Sequence, residues 1–127
     1  MRINSAKELD VYKKAYSTSM KIFYLSQTWP AEEKYSLIDQ IRRSSRSVCS
    51  NLREAWAKRR YEAHFTSKLT DCDGENGETD TWLDYARGCG YITDDVHGEL
   101  MKEVTEVGRM LGAMVRNPSP FLIVKEH

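Results

Sequence analysis

The sequence predicts an all-α protein folded as an antiparallel up-down four-helix bundle. Three observations predict it. Prolines stand only at positions 30, 118 and 120, the seven glycines all lie at or beyond residue 74, and apolar residues recur at alternating three- and four-residue steps. The stretches between these breakers are long enough for helices, and amphipathic helices joined by short connections bury their stripes most simply as an antiparallel bundle. The 127 residues read as one domain, 1–127, with a core that needs no staples. No segment repeats and none is of low complexity.

Helix 1 is expected over residues 6–27. Ser5 and Glu8 have capping-box spacing, and Leu9, Tyr12, Tyr16, Ser19, Phe23 and Ser26 form a stripe widened by Val11, Ala15, Ile22 and Leu25. Thr28-Trp29-Pro30 closes it. Pro30 suits the first turn of helix 2, where no N–H is required, and Glu32 and Glu33 suit the helix dipole. Helix 2 is expected over 31–60, with Leu37, Ile38, Ile41, Ser45, Val48, Leu52 and Ala55 inward. After a break near Tyr61, helix 3 covers 62–87 with Phe65, Leu69, Cys72, Thr79, Leu83 and Ala86 as its inner face. Gly74 and Gly77 weaken it by about 1 kcal/mol each relative to alanine. Gly88-Cys89-Gly90 supplies its stop. Helix 4 covers 93–116 along Val96, Leu100, Val104, Val107, Leu111 and Met114, and residues 117–127 read as a tail.

A charge split hides within a formal net charge of zero. Residues 40–60 carry seven Arg or Lys against one acid, whereas residues 71–106 carry eleven acids against two bases. At 100° per residue Arg42, Arg46, Arg53 and Arg60 fall within about 40° of one another beside the apolar face of helix 2. Together with Arg43, Lys58 and Arg59 they form a candidate strip for the backbone of RNA or DNA. Ser hydroxyls stand ready to assist, and Tyr35, Trp56 and Tyr61 to stack. Ser44, Ser45, Ser47, Ser50 and Asn51 suit a close helix pair equally well, with hydrogen bonds across the packing interface. The acids of helix 3 read as a solvated face, or in part as partners of the helix-2 arginines. Arg43 and Glu78 are expected to form a buried polar pair that fixes register.

Little else resembles chemistry. A di-iron bundle needs Glu-x-x-His on two helices, and the chain offers a single Asp94-x-x-His97, so neither a metal nor a cofactor is expected. There is no Gly-rich phosphate loop and no Gly-x-Ser-x-Gly elbow, and no catalytic residue is assigned. Cys49, Cys72 and Cys89 contain no Cys-x-x-Cys pair and read as small hydrophobes on or beside inner faces. With the polar start Met1-Arg2-Ile3-Asn4-Ser5 they suggest a reduced, cytoplasmic protein. The longest apolar run, Phe121-Leu122-Ile123-Val124, is far short of the roughly 18 to 20 residues that cross a bilayer. Ten Trp and Tyr side chains exceed what one small core needs, which points to an interface. A basic edge meeting a neighbour's acidic helix would give a homo-oligomer through a heterologous, salt-sensitive contact.

Leu9-Asp10-Val11-Tyr12-Lys13-Lys14-Ala15-Tyr16 and Trp29-Pro30-x-x-Glu33-x-Tyr35-x-Leu37-x-x-Gln40-Ile41-Arg42-Arg43-Ser44-Ser45-x-Ser47-Val48-x-x-Asn51-Leu52-x-Glu54-Ala55 carry a resemblance. So do Phe65-x-x-Lys68-Leu69, Glu75-Asn76-x-Glu78-Thr79-x-x-Trp82-Leu83 and Gly90-Tyr91-Ile92. Over about residues 8–116 the chain resembles the bacterial four-helix-bundle family named after proteins encoded in intervening sequences of large-subunit ribosomal RNA genes, also called ribosomal-protein-like. That family includes the accessory variability determinant of diversity-generating retroelements. The resemblance implies a pentameric ring with a basic surface around Arg42, Arg43 and Arg46, and RNA or DNA and a reverse transcriptase as partners. The chain departs from its relatives at Asn51-Leu52-Arg53-Glu54-Ala55-Trp56, where they often read Asn-Ile-x-Glu-Gly, and in its neutral charge. The function expected is a non-enzymatic, homo-oligomeric bundle that binds nucleic acid through helix 2. The alternative is a structural or adaptor bundle whose charges serve self-assembly or a protein partner.

Overall fold

The computed structural model describes residues 3–124, so the first two residues and the last three of the expected tail lie outside the described residues. Four helices carry the fold: α1 (Asp10–Ser26), α2 (Leu37–Ala57), α3 (Glu62–Gly88) and α4 (Asp94–Arg116). Hydrogen-bond partners run in opposite order at every seam. Arg42 meets Ser26 while Cys49 meets the Tyr12 carbonyl, Asn51 meets Lys68 while Ser44 meets Thr79, and Asp84 meets His97 while Asn76 meets the Val104 carbonyl. Lys14 pairs with Glu106 and Lys21 with Glu103, which returns α4 antiparallel to α1. Each helix packs on its sequence neighbours, α4 closes on α1, and no Cα atoms of the diagonal pairs come within 8 Å of each other. This is an up-down bundle.

The expected helix over 6–27 is broken at Leu9. Ala6–Glu8 form a 3₁₀ turn, and Leu9 is extended with ψ 135° before α1 begins. In one continuous helix Leu9 and Val11 would point about 160° apart. The break lets both be buried. Ser5 Oγ accepts from the Lys7 N–H at 3.2 Å, and the Glu8 carboxylate reaches past Ser5 to the Asn4 N–H at 2.8 Å, so the box is displaced by one residue.

The expected helix over 31–60 is also shorter. Pro30 caps a separate 3₁₀ turn, Ala31–Glu33, and α2 begins only at Leu37. The Glu33 carboxylate accepts from Ser36 Oγ at 2.5 Å and from the Tyr91 hydroxyl at 2.8 Å, which pins this turn to the start of α4's approach and separates it from α2. At the other end the chain turns through Lys58–Arg60. Arg59 Nε donates to the Trp56 carbonyl at 2.8 Å while its guanidinium lies 3.6 Å from the Trp56 ring centre, and this stacked cap ends α2.

Gly74 and Gly77 do not interrupt α3. Gly90, at φ +78°, ends the turn after it: the Tyr91 N–H donates to the Ala86 carbonyl and the Gly90 N–H to the Arg87 carbonyl, both at 2.9 Å, the paired bonds of a Schellman stop. Thr93 Oγ1 caps α4 by accepting from the Val96 N–H at 3.1 Å. The tail is docked. Ser119–Phe121 form a 3₁₀ turn, Phe121 lies 6.3 Å from Phe65 between ring centres, and the Ile123 N–H donates to the Arg59 carbonyl at 3.2 Å.

The core has two apolar halves with a polar belt between them. One half gathers Val48, Leu52, Phe65, Leu69, Leu111 and their neighbours, the other Ile22, Ile38, Ile41, Leu83 and Leu100 with theirs. At mid-height Thr18, Ser19, Ser44, Ser45, Asn76 and Thr79 are all buried. None is orphaned. Ser44 and Thr79 share a hydrogen bond of 2.9 Å across α2 and α3, Asn76 Nδ2 donates to the Val104 carbonyl at 2.9 Å, and Thr18, Ser19 and Ser45 donate to carbonyls one turn back in their own helices. Gly108 makes room on α4, since a Cβ there would come within 3.3 Å of Asn76 Nδ2. Asn76 and His97 are therefore core residues that the apolar pattern did not include.

Candidate nucleic-acid interface

The seven candidate cations do not act as one strip. Successive residues on a helix diverge by 100°, so Arg42 turns to α1 and Arg43 to α3. Arg42 Nε donates to Ser26 Oγ at 2.9 Å, and its guanidinium lies 4.8 Å from the Phe23 ring centre. Arg43 sits between two carboxylates, 3.2 Å from Glu75 and 2.8 Å from Glu78. The Arg43 and Glu78 side chains are 46% and 43% exposed, so this pair lies at the surface and not in the buried position expected for it. Register is set beside it by the buried Ser44–Thr79 bond. Arg59 is half-buried over Trp56, and that burial lowers its pKa.

Arg46, Arg53, Lys58 and Arg60 make no ion pair among the described residues. Arg46 lies 5.6 Å from the Phe23 ring centre, sharing that ring with Arg42. Phe23 belongs to a stripe of α1 with Tyr12 and Tyr16, all within about 40° around the helix. The three- and four-residue spacing predicts these aromatics inward. Their azimuth, roughly 110° from the buried Val11 and Ile22, is the feature that assigns them to the flank facing α2. Tyr16 is 54% exposed, while Phe23 is half-buried under the two arginines. Along the α1–α2 edge Arg46 thus lies against the half-buried Phe23, with Tyr16 exposed on α1 and Arg53 exposed on α2.

The aromatics expected to stack divide in the same way. Tyr35 and Tyr61 are 85% and 54% exposed, but Trp56 is buried beneath Arg59 and offers no free face. Beside Lys58 a recess of about 280 Å³ is lined by His64, Ser67, Lys68 and Asp71. Lys68 there is already held by Glu54 at 2.7 Å, Asn51 at 3.0 Å and Asp71 at 3.4 Å, and the two carboxylates, Glu54 first, raise its pKa.

Other chemistry finds no assembled site. His97 Nε2 is 2.8 Å from Asp84 and its Nδ1 is 3.4 Å from Arg87, a cluster with one carboxylate. Among the described residues no group of three or more His, Cys, Asp or Glu is placed to hold a metal ion. Cys49 and Cys72 are buried, and desolvation pushes their thiols up to about 11 and about 12. Cys89, expected on or beside an inner face, is exposed at the end of α3, because the Schellman turn directs it away from the core. No described helix is long and apolar enough to cross a membrane.

The model of the 23S rRNA-intervening sequence protein family matches residues 7–113. No curated protein matches the chain. Among solved structures the chain is similar to a protein of unknown function from the S23 ribosomal protein family of Bacteroides thetaiotaomicron. The two are 28% identical, the match covers 84% of this chain and 96% of that one, and the TM-score is 0.75.

Proposed function

The chain belongs to the 23S rRNA-intervening sequence protein family, and from that premise we propose that it is a non-enzymatic, self-assembling bundle that binds the phosphate backbone of RNA or DNA along the α1–α2 edge. One observation carries this reading: Arg46 and Arg53 lie within about 20° on α2 and Arg60 is exposed in the turn beyond it, with no acid of the described chain paired to any of them and with Tyr16 exposed on the neighbouring flank. Arg42 and Arg43 then serve the bundle, because each is already engaged by α1 or α3. A chain with zero formal charge presents such an edge only because its acids are gathered elsewhere, on α3 and α4. Five copies in a ring, as the family resemblance implies, would repeat the edge and multiply its affinity.

The test is fluorescence anisotropy of a labelled RNA and a labelled DNA oligonucleotide over a salt series. Affinity is expected to fall linearly with the logarithm of salt, and Arg46→Glu with Arg53→Glu to weaken binding by at least about tenfold while flattening that slope by about 0.7 to 0.9 per lost contact. Lys102→Glu on α4 is the control and should change little. Absence of binding at low salt would overturn the reading. A second reading, an adaptor bundle whose charges serve assembly, draws support from the intrachain engagement of Arg42, Arg43 and Arg59. It predicts that the same reversals change molar mass and leave anisotropy untouched.

A further inference from the structure

Where α2 begins and α3 ends, a recess of about 400 Å³ is lined by Tyr35, Leu37, Gln40, Trp82, Tyr85 and Glu33, among others. Tyr85 forms a wall shared with a second recess of about 300 Å³ that includes Asp84. Each lining contains one carboxylate and no Lys or Arg. This end of the molecule is distant in character from the basic edge: Tyr35 and Tyr85 are exposed, Trp82 is half-buried behind them, the charge there is negative, and the proposal does not depend on nucleic-acid binding. We propose that the recess binds a methylated ammonium head group, held against the faces of Trp82, Tyr85 and Tyr35 and balanced by the Glu33 carboxylate.

The chemistry of the lining selects that class. Aromatic faces attract cations through the ring quadrupole, most strongly for Trp, and a size of a few hundred Å³ suits a small ligand. Trp82 and Tyr85 stand 5.9 Å apart with ring planes at 44°, so they present two differently inclined walls. Tyr35 already attracts an ammonium of this chain, with Lys34 Nζ at 5.4 Å from its centre, although Lys34 does not line the recess. Glu33 is fixed in place by Ser36 and Tyr91, and these hydrogen bonds hold its carboxyl below the usual carboxylate range, so it is charged at neutral pH. Both of its oxygens already accept a bond. A guanidinium seeks two parallel free acceptors, whereas an alkylated ammonium needs only ring faces and a nearby negative charge.

The probes are choline, its uncharged carbon isostere 3,3-dimethyl-1-butanol, and arginine, each titrated at constant ionic strength while the Trp82 indole N–H resonance is followed. Choline is expected to give a saturable shift and to bind about fivefold or more tighter than the isostere, a ratio set by the cation–π and carboxylate contributions. Glu33→Gln should lower the ratio while leaving it above one, because the ring faces remain, and Tyr85→Ala should abolish the shift, with thermal melts showing that both variants stay folded. Equal binding of choline and the isostere would reduce the recess to an apolar dent and overturn the proposal. Tighter binding of arginine than of choline would overturn the ligand class, and no saturable shift with any probe would overturn the site.

Discussion

Arg42 and Arg43 are adjacent in sequence and serve different seams, one lying on Phe23 of α1 and the other between Glu75 and Glu78 of α3. Exposed pairs of the Arg43 kind contribute about 0 to 1 kcal/mol each, so the arginine orients α3 at the surface more than it stabilises the bundle. The cysteines separate by the same logic of position. At pH 8 a thiol reagent should label Cys89 rapidly and spare Cys49 and Cys72 until the protein unfolds, which mass spectrometry of the labelled chain reads directly. Burial raises both inner thiols from 9.0, to about 11 for Cys49 and about 12 for Cys72. Their contribution to stability is therefore complete below about pH 9 and is lost as pH rises toward those values. The sequence disclosed the residue types at these sites but not their direction. Arg42, Arg46, Arg53 and Arg60 could be aligned by a 100° step, yet whether an acid answered each of them depended on α3, whose rotation about its own axis the apolar pattern left loose.

The elements were the most legible level, and their misread ends have local causes. α3 and α4 lie within a residue or so of their expected bounds because Gly90 and Thr93 are unambiguous stop and start residues. α1 and α2 were drawn too long because helix periodicity cannot register an extended Leu9 or a carboxylate such as Glu33 that closes a separate turn. Asn76 fell in a gap of the α3 stripe, and only its bond to the Val104 carbonyl explains its burial. The glycines make a contrast that can be measured. A Cβ at Gly74 or Gly77 would meet nothing within 4 Å, so alanine at each should stabilise the protein by roughly 0.5 to 1 kcal/mol. Alanine at Gly90 must adopt φ +78° and should destabilise it by about 1 to 2 kcal/mol, and chemical denaturation of the three variants checks both signs.

At the scale of the whole molecule, the polar belt and the charge split are the two departures from a plain apolar bundle. Within the belt two bonds reward one register: sliding α3 by a turn would take the buried Asn76 amide from the Val104 carbonyl, at about 1 to 3 kcal/mol, and would part Ser44 from Thr79, while Thr18, Ser19 and Ser45 keep the carbonyls of their own helices. The charge split sets the conditions of assembly. Light scattering should show an oligomer at low ionic strength whose mass falls toward that of the 14.7 kDa chain near 1 M salt, where the screening length is about 3 Å. A monomer at every salt concentration would remove the assembly proposal. The packing of each helix on its sequence neighbours also has a kinetic consequence. Three of the four seams join segments that a short turn brings together, so the search for them costs little chain entropy and is completed in roughly microseconds to milliseconds. The fourth seam joins Lys14 to Glu106 and Thr18 to Glu103, partners 92 and 85 positions apart, and these polar contacts flank the apolar core that Val11 and Ala15 share with Val107 and Leu111. The arrival of α4 at α1 is then expected to be the slowest of the four dockings, and stopped-flow refolding should show its rate falling modestly with added salt as the Lys14–Glu106 and Lys21–Glu103 attractions are screened.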